Sequence, residues 1–400
     1  MKSGVWSWFA VVVITLAGWT TSASAALQDD GTACGNQSTA LDGNDAGEEV
    51  GACLPPAGSG SAPVVAIAVV PGHGEVTLPP LVQGKSCAAE MVSSTGVIGG
   101  TCLDSNDVAQ GVTWSSYTAT PLQLQPVGAL LGGGVKTVLT AMNAQGLQGG
   151  ESLDGSNVAT PVIWSGTTAH PLPGAALLGL GNTNCKVIDI ADNTGWVTGT
   201  CPNGTGRAAA ILWTSAGGGY LAHVLTPPSD ASQCVPTRVN GAGQVLASCH
   251  RANGNGSYVV RFESNGRATP LASVNGSTNI QAVDMNATGQ VAFDVLNANG
   301  FKQAGFWNPP DPSSAQMIPS ASGGARSEAV GIGNNGTVAV NAETGTGDWH
   351  AETWSLAGGT VDLGALDGNN SFITSISPGG GVIAGGSEVA GEAIHAIVGP

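Results

Sequence analysis

Two acidic residues, Glu90 and Asp189, stand at matching places in a chain that repeats itself. Each lies six residues before the glycine of a four-residue block that recurs along the sequence. If this position faces a common channel, both carboxylates would point inward, and paired carboxylates can cleave glycosides. The other copies carry Thr140, Thr237, Val283, Val330 and Thr374. Because channel walls are commonly polar, we assign no catalytic residue, and an extracellular polysaccharide-acting enzyme, a hydrolase or lyase, remains the alternative function.

Two oxygen-rich loops are candidates for a cation. They are Asp104-Ser105-Asn106-Asp107 and Asp154-Gly155-Ser156-Asn157. Such loops could hold calcium, although the EF-hand pattern is absent and solvated turns of this composition are common. The six histidines are scattered, and none has the H-E-x-x-H spacing of a metal site; His170 and His223 occupy matching places and are expected at the surface or between repeats. We therefore expect no metal and no cofactor, with calcium in these loops as the alternative.

The eight cysteines follow the same recurring block. Three cysteines lie six residues after a block glycine: Cys102, Cys201 and Cys249. Two lie nine residues before one, Cys87 and Cys234, and Cys185 lies ten before. Each pair brackets its turn symmetrically, and directly opposed residues of an antiparallel hairpin are within disulfide range. The expected structural disulfides are Cys87–Cys102, Cys185–Cys201 and Cys234–Cys249, with Cys34–Cys53 by elimination. Metal binding is the alternative, but no C-x-x-C spacing exists.

The recurring block indicates a repeat protein. The seven copies end at Gly96, Gly146, Gly195, Gly243, Gly289, Gly336 and Gly380, which are 50, 49, 48, 46, 47 and 44 residues apart. Asn, Asp or Ser at the first position with glycine at the fourth is typical of a type I turn. Glycine is abundant, with 62 of 400 residues, and the block accounts for part of this excess.

The sequence around each turn predicts four short strands. Apolar residues flank the block on both sides, and small residues such as Gly100 and Gly150 follow four after the glycine, which suggests close approach of a neighbouring sheet. About 18 residues after the glycine a strand ends in an aromatic residue, at Trp114, Trp164, Trp213, Phe262, Trp307 and Trp354, with Val398 in the seventh copy. Four antiparallel strands in 40–50 residues are the period of a β-propeller blade. A β-solenoid or stacked sandwiches are the alternatives.

The order of the strands also predicts how the ring closes. The chain ends on the aromatic-type strand of the seventh copy, and the missing fourth strand is found near the front, at Val76 to Leu81. We predict an all-β, seven-bladed β-propeller of about 47-residue repeats, closed by that N-terminal strand, since closure removes exposed edges. Another aromatic-type strand precedes it, at Val64 to Val70, but a surplus strand is too little for an eighth blade.

The first residues of the chain predict export. Residues 1–25 read as a signal peptide, with Lys2, an apolar run too short to span a bilayer and a cleavage site at Ala23-Ser24-Ala25. Residues 26–62 read as a flexible acidic Gly/Ser-rich lead, and residues 63–400 as the propeller. Without Lys2 the chain has 27 acidic against 10 basic residues, a charge of −17. This disfavours nucleic acid as a partner. We expect a secreted or periplasmic monomer without membrane insertion.

The last repeat resembles a known family. It reads Val361-Asp362-Leu363-Gly364, then Ile376-Ser377 and a turn, then Val382-Ile383-Ala384-Gly385 and His395-Ala396-Ile397-Val398. This order is similar to the extracellular HAF repeat family. The resemblance implies an exported β-propeller-like protein and carries no agreed catalytic residues. We expect a ligand-binding or scaffolding module for a glycan or protein ligand; a purely structural surface protein is a third possibility.

Overall fold

A computed structural model describes residues 27–31, 33, 37–54, 62–128, 133–174, 184–277, 279–297, 299–390 and 393–399. The predicted signal peptide lies outside these ranges. Within them the chain forms short antiparallel strands joined by tight turns, and the sheet order follows the chain order in almost every case. No helix of the described residues is long and apolar enough to cross a membrane.

The strands form eight four-stranded sheets among the described residues, which makes the protein an eight-bladed β-propeller. The first strand, β1 (Gln28–Asp29), belongs to the last sheet. Blade 1 contains β2 (Gln37–Gly43), β3 (Glu49–Leu54), β4 (Val65–Val70) and β5 (Gly74–Thr77); blade 2 contains β6 (Cys87–Val92), β7 (Ile98–Leu103), β8 (Ala109–Trp114) and β9 (Leu122–Gln123). Blade 3 contains β10 (Lys136–Met142), β11 (Gln148–Leu153), β12 (Ala159–Ser165) and β13 (Thr168–Pro171); blade 4 contains β14 (Lys186–Ile190), β15 (Val197–Pro202), β16 (Ala208–Ala216) and β17 (Gly219–Val224).

The second half of the ring continues the pattern. Blade 5 contains β18 (Ala231–Val239), β19 (Val245–Arg251), β20 (Ser257–Phe262) and β21 (Ala268–Leu271); blade 6 contains β22 (Ile280–Met285), β23 (Val291–Leu296), β24 (Lys302–Trp307) and β25 (Gln316–Met317). Blade 7 contains β26 (Gly323–Ile332), β27 (Val338–Thr344), β28 (Trp349–Ser355) and β29 (Gly359–Asp362); blade 8 contains β30 (Ser371–Ile376), β31 (Ile383–Glu388) and β32 (Ile394–Gly399), completed by β1.

The prediction of seven blades was wrong, because a whole blade precedes the first predicted one. Its turn is Asn44-Asp45-Ala46-Gly47, whose glycine lies 49 residues before Gly96 and therefore fits the repeat. Strands β2 and β3 lie in the segment that we predicted as a flexible lead. The third strand of this blade, β4, was recognised in the sequence, but it was counted as surplus because β2 and β3 had been assigned to the lead.

The ring is closed by an N-terminal strand, as predicted, but this strand is not the one at Val76 to Leu81. Val76 belongs to β5, the outer strand of blade 1, which pairs with β4. The closing strand is β1, which pairs with β32 through Gln28 opposite Val398 and Asp29 opposite Ile397.

The first strand of each blade bulges at one residue. The bulge lies at Glu90 in blade 2 and at Thr140 in blade 3, for example. The small residue opposite is required because a Cβ at Gly100 would collide with the carbonyl oxygen of Ala88, and a Cβ at Gly150 with that of Val138. The close approach is therefore made by a neighbouring strand of the same sheet, and not by a neighbouring sheet as we expected.

The core consists of aromatic residues at the end of the third strands. Trp114, Trp164, Trp213, Phe262 and Trp307 are fully buried, and Trp354 nearly so. The indole N–H groups of four of them donate to backbone carbonyl oxygens, as buried tryptophans usually do: these are Trp114, Trp164, Trp213 and Trp307. These side chains hold neighbouring sheets together around the channel.

Three disulfides join the strand pairs that the spacing predicts. They are Cys87–Cys102, Cys185–Cys201 and Cys234–Cys249, with Cα atoms 4.1, 4.1 and 4.0 Å apart. Blades 3 and 6 fill the same places with Thr137 opposite Ser152 and Ile280 opposite Val295. Cys53 is also disulfide-bonded, and Cys34, its expected partner, lies outside the described residues.

Candidate ligand-binding site in the central channel

The first strands of the eight blades surround a central cavity of about 580 Å³. In blades 1 to 4 the bulge residue and the residues after it line this cavity, and in blades 5 and 6 the lining begins directly after the bulge. Blades 7 and 8 contribute the end of the first strand and one residue of the turn. Both Glu90 and Asp189 contribute to the lining, as their register predicts. The other charged residues of the lining are Asp42, Asp192, Arg238 and Asp284. The cavity is thus polar, with five carboxylates and one guanidinium.

Three of these aspartates each connect their own blade to the next one. Asp42 Oδ2 accepts the backbone N–H of Val92 at 2.9 Å. Asp189 accepts that of Val239 at 2.8 Å, and Asp284 that of Ile332 at 2.9 Å. Each aspartate directly follows its bulge, so the bulge directs the carboxylate sideways toward the neighbouring blade.

Arg238 lies between two of them. Its Nε donates to Asp284 Oδ1 at 2.5 Å, and its Nη1 donates to Asp189 Oδ1 at 3.1 Å. Nη2 makes no hydrogen bond to the described residues, and the side chain is 48% exposed toward the channel. We call Asp189, Arg238 and Asp284 the channel triad. It presents a planar donor to the cavity, held by two carboxylates whose combined negative charge exceeds the charge of the guanidinium.

Burial changes how the carboxyl groups of the lining titrate. Desolvation raises the pKa of Asp42 to about 6, against the opposing effect of the Val92 N–H. Desolvation also raises the pKa of Asp189, although Arg238 lowers it. The pKa of Glu90 is raised by desolvation and lowered by a hydrogen bond with Thr101. The two aspartates raise the pKa of Arg238 further, so the guanidinium remains charged.

The geometry disfavours Glu90 and Asp189 as a catalytic pair. They come from blades 2 and 4, and both oxygens of Asp189 already accept hydrogen bonds, from Arg238 and from Val239. A nucleophile or general acid needs a free oxygen within reach of the substrate. Asp189 therefore holds Arg238 and the backbone of Val239 in place, and it is not available to Glu90 as a catalytic partner.

The sequence analysis found only Asp189 of the channel triad, because blade 4 has one residue more than blades 5 and 6 between its bulge and its turn. Asp42, Arg238 and Asp284 lie five residues before their turn glycines, where they directly follow the bulge. Asp189 lies six before its glycine, because blade 4 has one more residue between bulge and turn. Inspection of the position five before each glycine would have found the other charged groups.

Four of the eight turns begin with an asparagine whose side chain contacts the next blade. Asn240 Oδ1 accepts the N–H of Ala242 and of Gln244 in its own turn, at 3.1 and 3.0 Å, while its Nδ2 donates to the carbonyl oxygen of Asn286 in the next blade at 3.3 Å. Asn44, Asn143 and Asn286 have the same arrangement. The asparagines that predicted the turns therefore also connect the blades.

The loops considered for calcium use their oxygens locally. Asp104 Oδ1 accepts the N–H of Asn106 at 2.8 Å and of Val108 at 3.0 Å, and Asp154 forms the equivalent pair of hydrogen bonds. Among the residues that the structure describes, no group of three His, Cys, Asp or Glu is arranged to hold a metal ion. His170 and His223 lie exposed on the outer strands of blades 3 and 4.

The comparisons with known proteins define the class of the fold. The chain is similar to Porphyromonas gingivalis dipeptidyl peptidase 4, with a TM-score of 0.54 and 11% identity over 90% of this chain and 57% of that one. It is also similar to a puromycin-hydrolyzing peptidase of Mycobacterium tuberculosis, with a TM-score of 0.47 and 14% identity over 76% of this chain and 48% of that one. The chain thus spans about half the length of these structures. No family model and no curated protein matches the chain.

Proposed function

We propose that this protein is an exported, non-catalytic binding module whose central channel takes a neutral, hydroxyl-rich ligand, with a glycan as the first candidate. The observation that supports this most is the channel triad, because a guanidinium whose positive charge is already met by two carboxylates, and which keeps free N–H groups, is a directional donor for hydroxyl oxygens. The three disulfides fit an oxidising compartment, secreted or periplasmic. The resemblance to extracellular HAF repeat proteins fits the same location.

The charge of the lining restricts the ligand. Five carboxylates against one guanidinium disfavour an anionic ligand such as a polyuronate or a nucleic acid. A cationic peptide is the second candidate, since the same excess of carboxylates would attract it. The fold neighbour with the higher TM-score is by its name a peptidase, which makes peptides a reasonable second class to test.

Binding by the wild-type protein should be measured by isothermal titration calorimetry with neutral oligosaccharides, uronate-containing oligosaccharides and basic peptides. We expect neutral oligosaccharides to bind and uronates not to bind. Arg238→Lys keeps the charge and removes the planar fork, so it should weaken binding by about tenfold, the loss of roughly one charge-assisted hydrogen bond. The matched control is Arg267→Lys, on an exposed hairpin of blade 5, which should leave binding unchanged.

The outcomes separate the candidates. Equal affinity of Arg238→Lys and wild type would place the ligand outside the channel. Binding of basic peptides without glycans would favour the second candidate. Release of reducing ends from a polysaccharide, abolished by Glu90→Gln, would instead establish the enzymatic alternative.

A further inference from the structure

The ring closes where a short N-terminal segment lies between blades 8 and 1. Beyond the pairing of β1 with β32, the N–H of Asp30 donates to the carbonyl oxygen of Ala396 at 3.1 Å. Ser38 of blade 1 donates its hydroxyl to the carbonyl oxygen of Gly31 at 3.0 Å and accepts the N–H of Ala396 at 3.0 Å. We call this junction the closure seam. Residues 28–31 are the segment that connects the two blades.

The closure seam contains carboxyl oxygens without partners. Glu49 is fully buried, and neither of its carboxyl oxygens has a hydrogen-bond partner among the described residues. Within the same described part of the chain, Asp30 Oδ2 and Glu75 Oε2 are also buried and unpartnered. The other oxygen of Glu75 accepts the N–H of Ala33 at 2.6 Å. Four orphaned oxygens on three side chains are thus concentrated at one junction of the ring.

Glu49 is unusual for its position in the repeat. It stands two residues after the turn glycine, where most other blades carry an apolar residue and blade 3 carries Gln148. Gln148 faces the preceding blade and donates to Thr113 at 2.7 Å. By the same register Glu49 faces blade 8, and its Cγ lies beside Gly43 next to Ala384 of that blade. A carboxyl group therefore occupies an interface that is apolar or amide-lined elsewhere.

The carboxyl groups act on one another with little cationic compensation. Desolvation raises the pKa of Glu49 to about 10, with added repulsion from Asp30 and Asp42. Desolvation raises the pKa of Asp30 to about 7, with repulsion from Asp29 and Glu75. The pKa of Glu75 is raised by desolvation and by Asp29, and lowered by its hydrogen bonds and by His395.

Two cationic groups act on these carboxyls among the described residues. His395 Nδ1 lies 3.0 Å from Asp29 and forms an ion pair only when the imidazole is protonated. Arg238 of the channel triad acts on Asp42 and not directly on the others. Neither group is among the charges that act on Glu49, whose two carboxyl oxygens are buried and unpartnered among the described residues.

We propose that the closure seam is a proton-controlled clasp, in which protonated carboxyl groups hold β1 between blades 8 and 1 and their ionisation above neutral pH loosens it. The sign follows from linkage: a carboxyl group that binds its proton more tightly in the closed state stabilises that state in acid. The contribution of Asp30 is present below about pH 4 and is lost as the pH rises through about 7. The contribution of Glu49 is lost as the pH rises through about 10.

Hydrogen exchange of the full chain tests the clasp. Protection of residues 28–31 and 394–399 should be measured at pH 5 and pH 8, corrected for the chemical exchange rate, with β23 of blade 6 as the reference. We expect protection at the closure seam to fall by at least about tenfold more than in β23, since one pKa unit corresponds to tenfold. Equal changes in both segments would overturn the proposal.

Two variants make the test specific. Glu49→Gln removes the buried acid, and Gln148 shows that an amide fits this register; Asp30→Asn removes the second acid at the more accessible edge of the closure seam. Each should reduce the pH dependence of the seam, and both together should remove most of it. The control Glu328→Gln, a partly exposed acid of blade 7 near Lys302, should leave it unchanged. Persistence of the full dependence in the double variant would refute the clasp.

Discussion

The side-chain amide of Asn286 in blade 6 donates a hydrogen bond to the backbone carbonyl oxygen of Gly333 in blade 7, at 3.0 Å. The two residues occupy the first position of successive turns, 47 residues apart. Because Asn286 Oδ1 also accepts the N–H of Thr288 and of Gln290, a single side chain stabilises its own turn and attaches the next blade. The turn block that defines the repeat is therefore also a joint between repeats.

Asn286→Ala should lower the free energy of unfolding by about 1–3 kcal/mol, since it removes these hydrogen bonds and leaves the N–H groups of Thr288 and Gln290 without their side-chain acceptor. Asn286→Asp keeps the acceptor and loses the donor, so its effect should be of similar sign. The measurement is denaturant unfolding. The control Asn265→Ala removes one exposed local hydrogen bond, to the N–H of Arg267, and should stay within about 0.5 kcal/mol. Equal losses of stability in Asn286→Ala and Asn265→Ala would contradict the role of Asn286 as a joint between blades.

The turn glycines should differ according to what lies beside them. Gly243 has φ of +74° and Gly266 has φ of +81°, so alanine at either carries a left-handed penalty of roughly 1–2 kcal/mol. A Cβ at Gly243 would also collide with the Trp196 ring of blade 4, whereas that at Gly266 meets nothing within 4 Å. Gly243→Ala should therefore cost about 1–3 kcal/mol more than Gly266→Ala in thermal or denaturant unfolding. An equal or larger loss of stability in Gly266→Ala would show that the contact of Gly243 with Trp196 is unimportant.

Removal of one disulfide should weaken the protein without changing its fold. Cys234→Ile combined with Cys249→Val copies Ile280 and Val295 of blade 6, and should lower the free energy of unfolding by up to about 3 kcal/mol for a 15-residue separation. The reverse exchange, Ile280→Cys with Val295→Cys, should form a bond and stabilise by a similar amount. Unfolding with and without reductant measures both. A reductant-insensitive wild type would contradict this expectation.

Loss of the Arg238 side chain should be costly and pH-dependent. Arg238→Met leaves Asp189 and Asp284 without their shared cation, and should destabilise by about 1–3 kcal/mol, less than for a fully buried pair because Arg238 is half exposed. Since Arg238 lowers the pKa of Asp189, that pKa should rise in the variant, and protonation should reduce the deficit at pH 5 relative to pH 8. Unfolding at both pH values, with Arg267→Met as the exposed control, tests the prediction. A deficit that grows in acid would refute it.

Local patterns were enough to predict much of this architecture. The turn blocks, the strand-ending tryptophans and the cysteine spacing can all be recognised from residues within one hairpin or one blade, even where their side chains also contact the next blade. They predicted the propeller and the three disulfide pairs correctly, because each depends on residues fewer than about 20 positions apart. Glu90 and Asp189 both line the channel as predicted, although Glu90 is a bulge residue and Asp189 directly follows one.

The amino-acid sequence alone thus determined the kind of unit and its internal pairing, since turns and hairpins form from neighbouring residues. The tertiary structure decided that there are eight blades, because it pairs β2 and β3, from the segment predicted as a flexible lead, with β4 and β5 in one sheet. It also decided which charges meet: Arg238 contacts Asp189 and Asp284 across separations of 49 and 46 residues. These contacts exist only because the closed ring brings successive blades side by side.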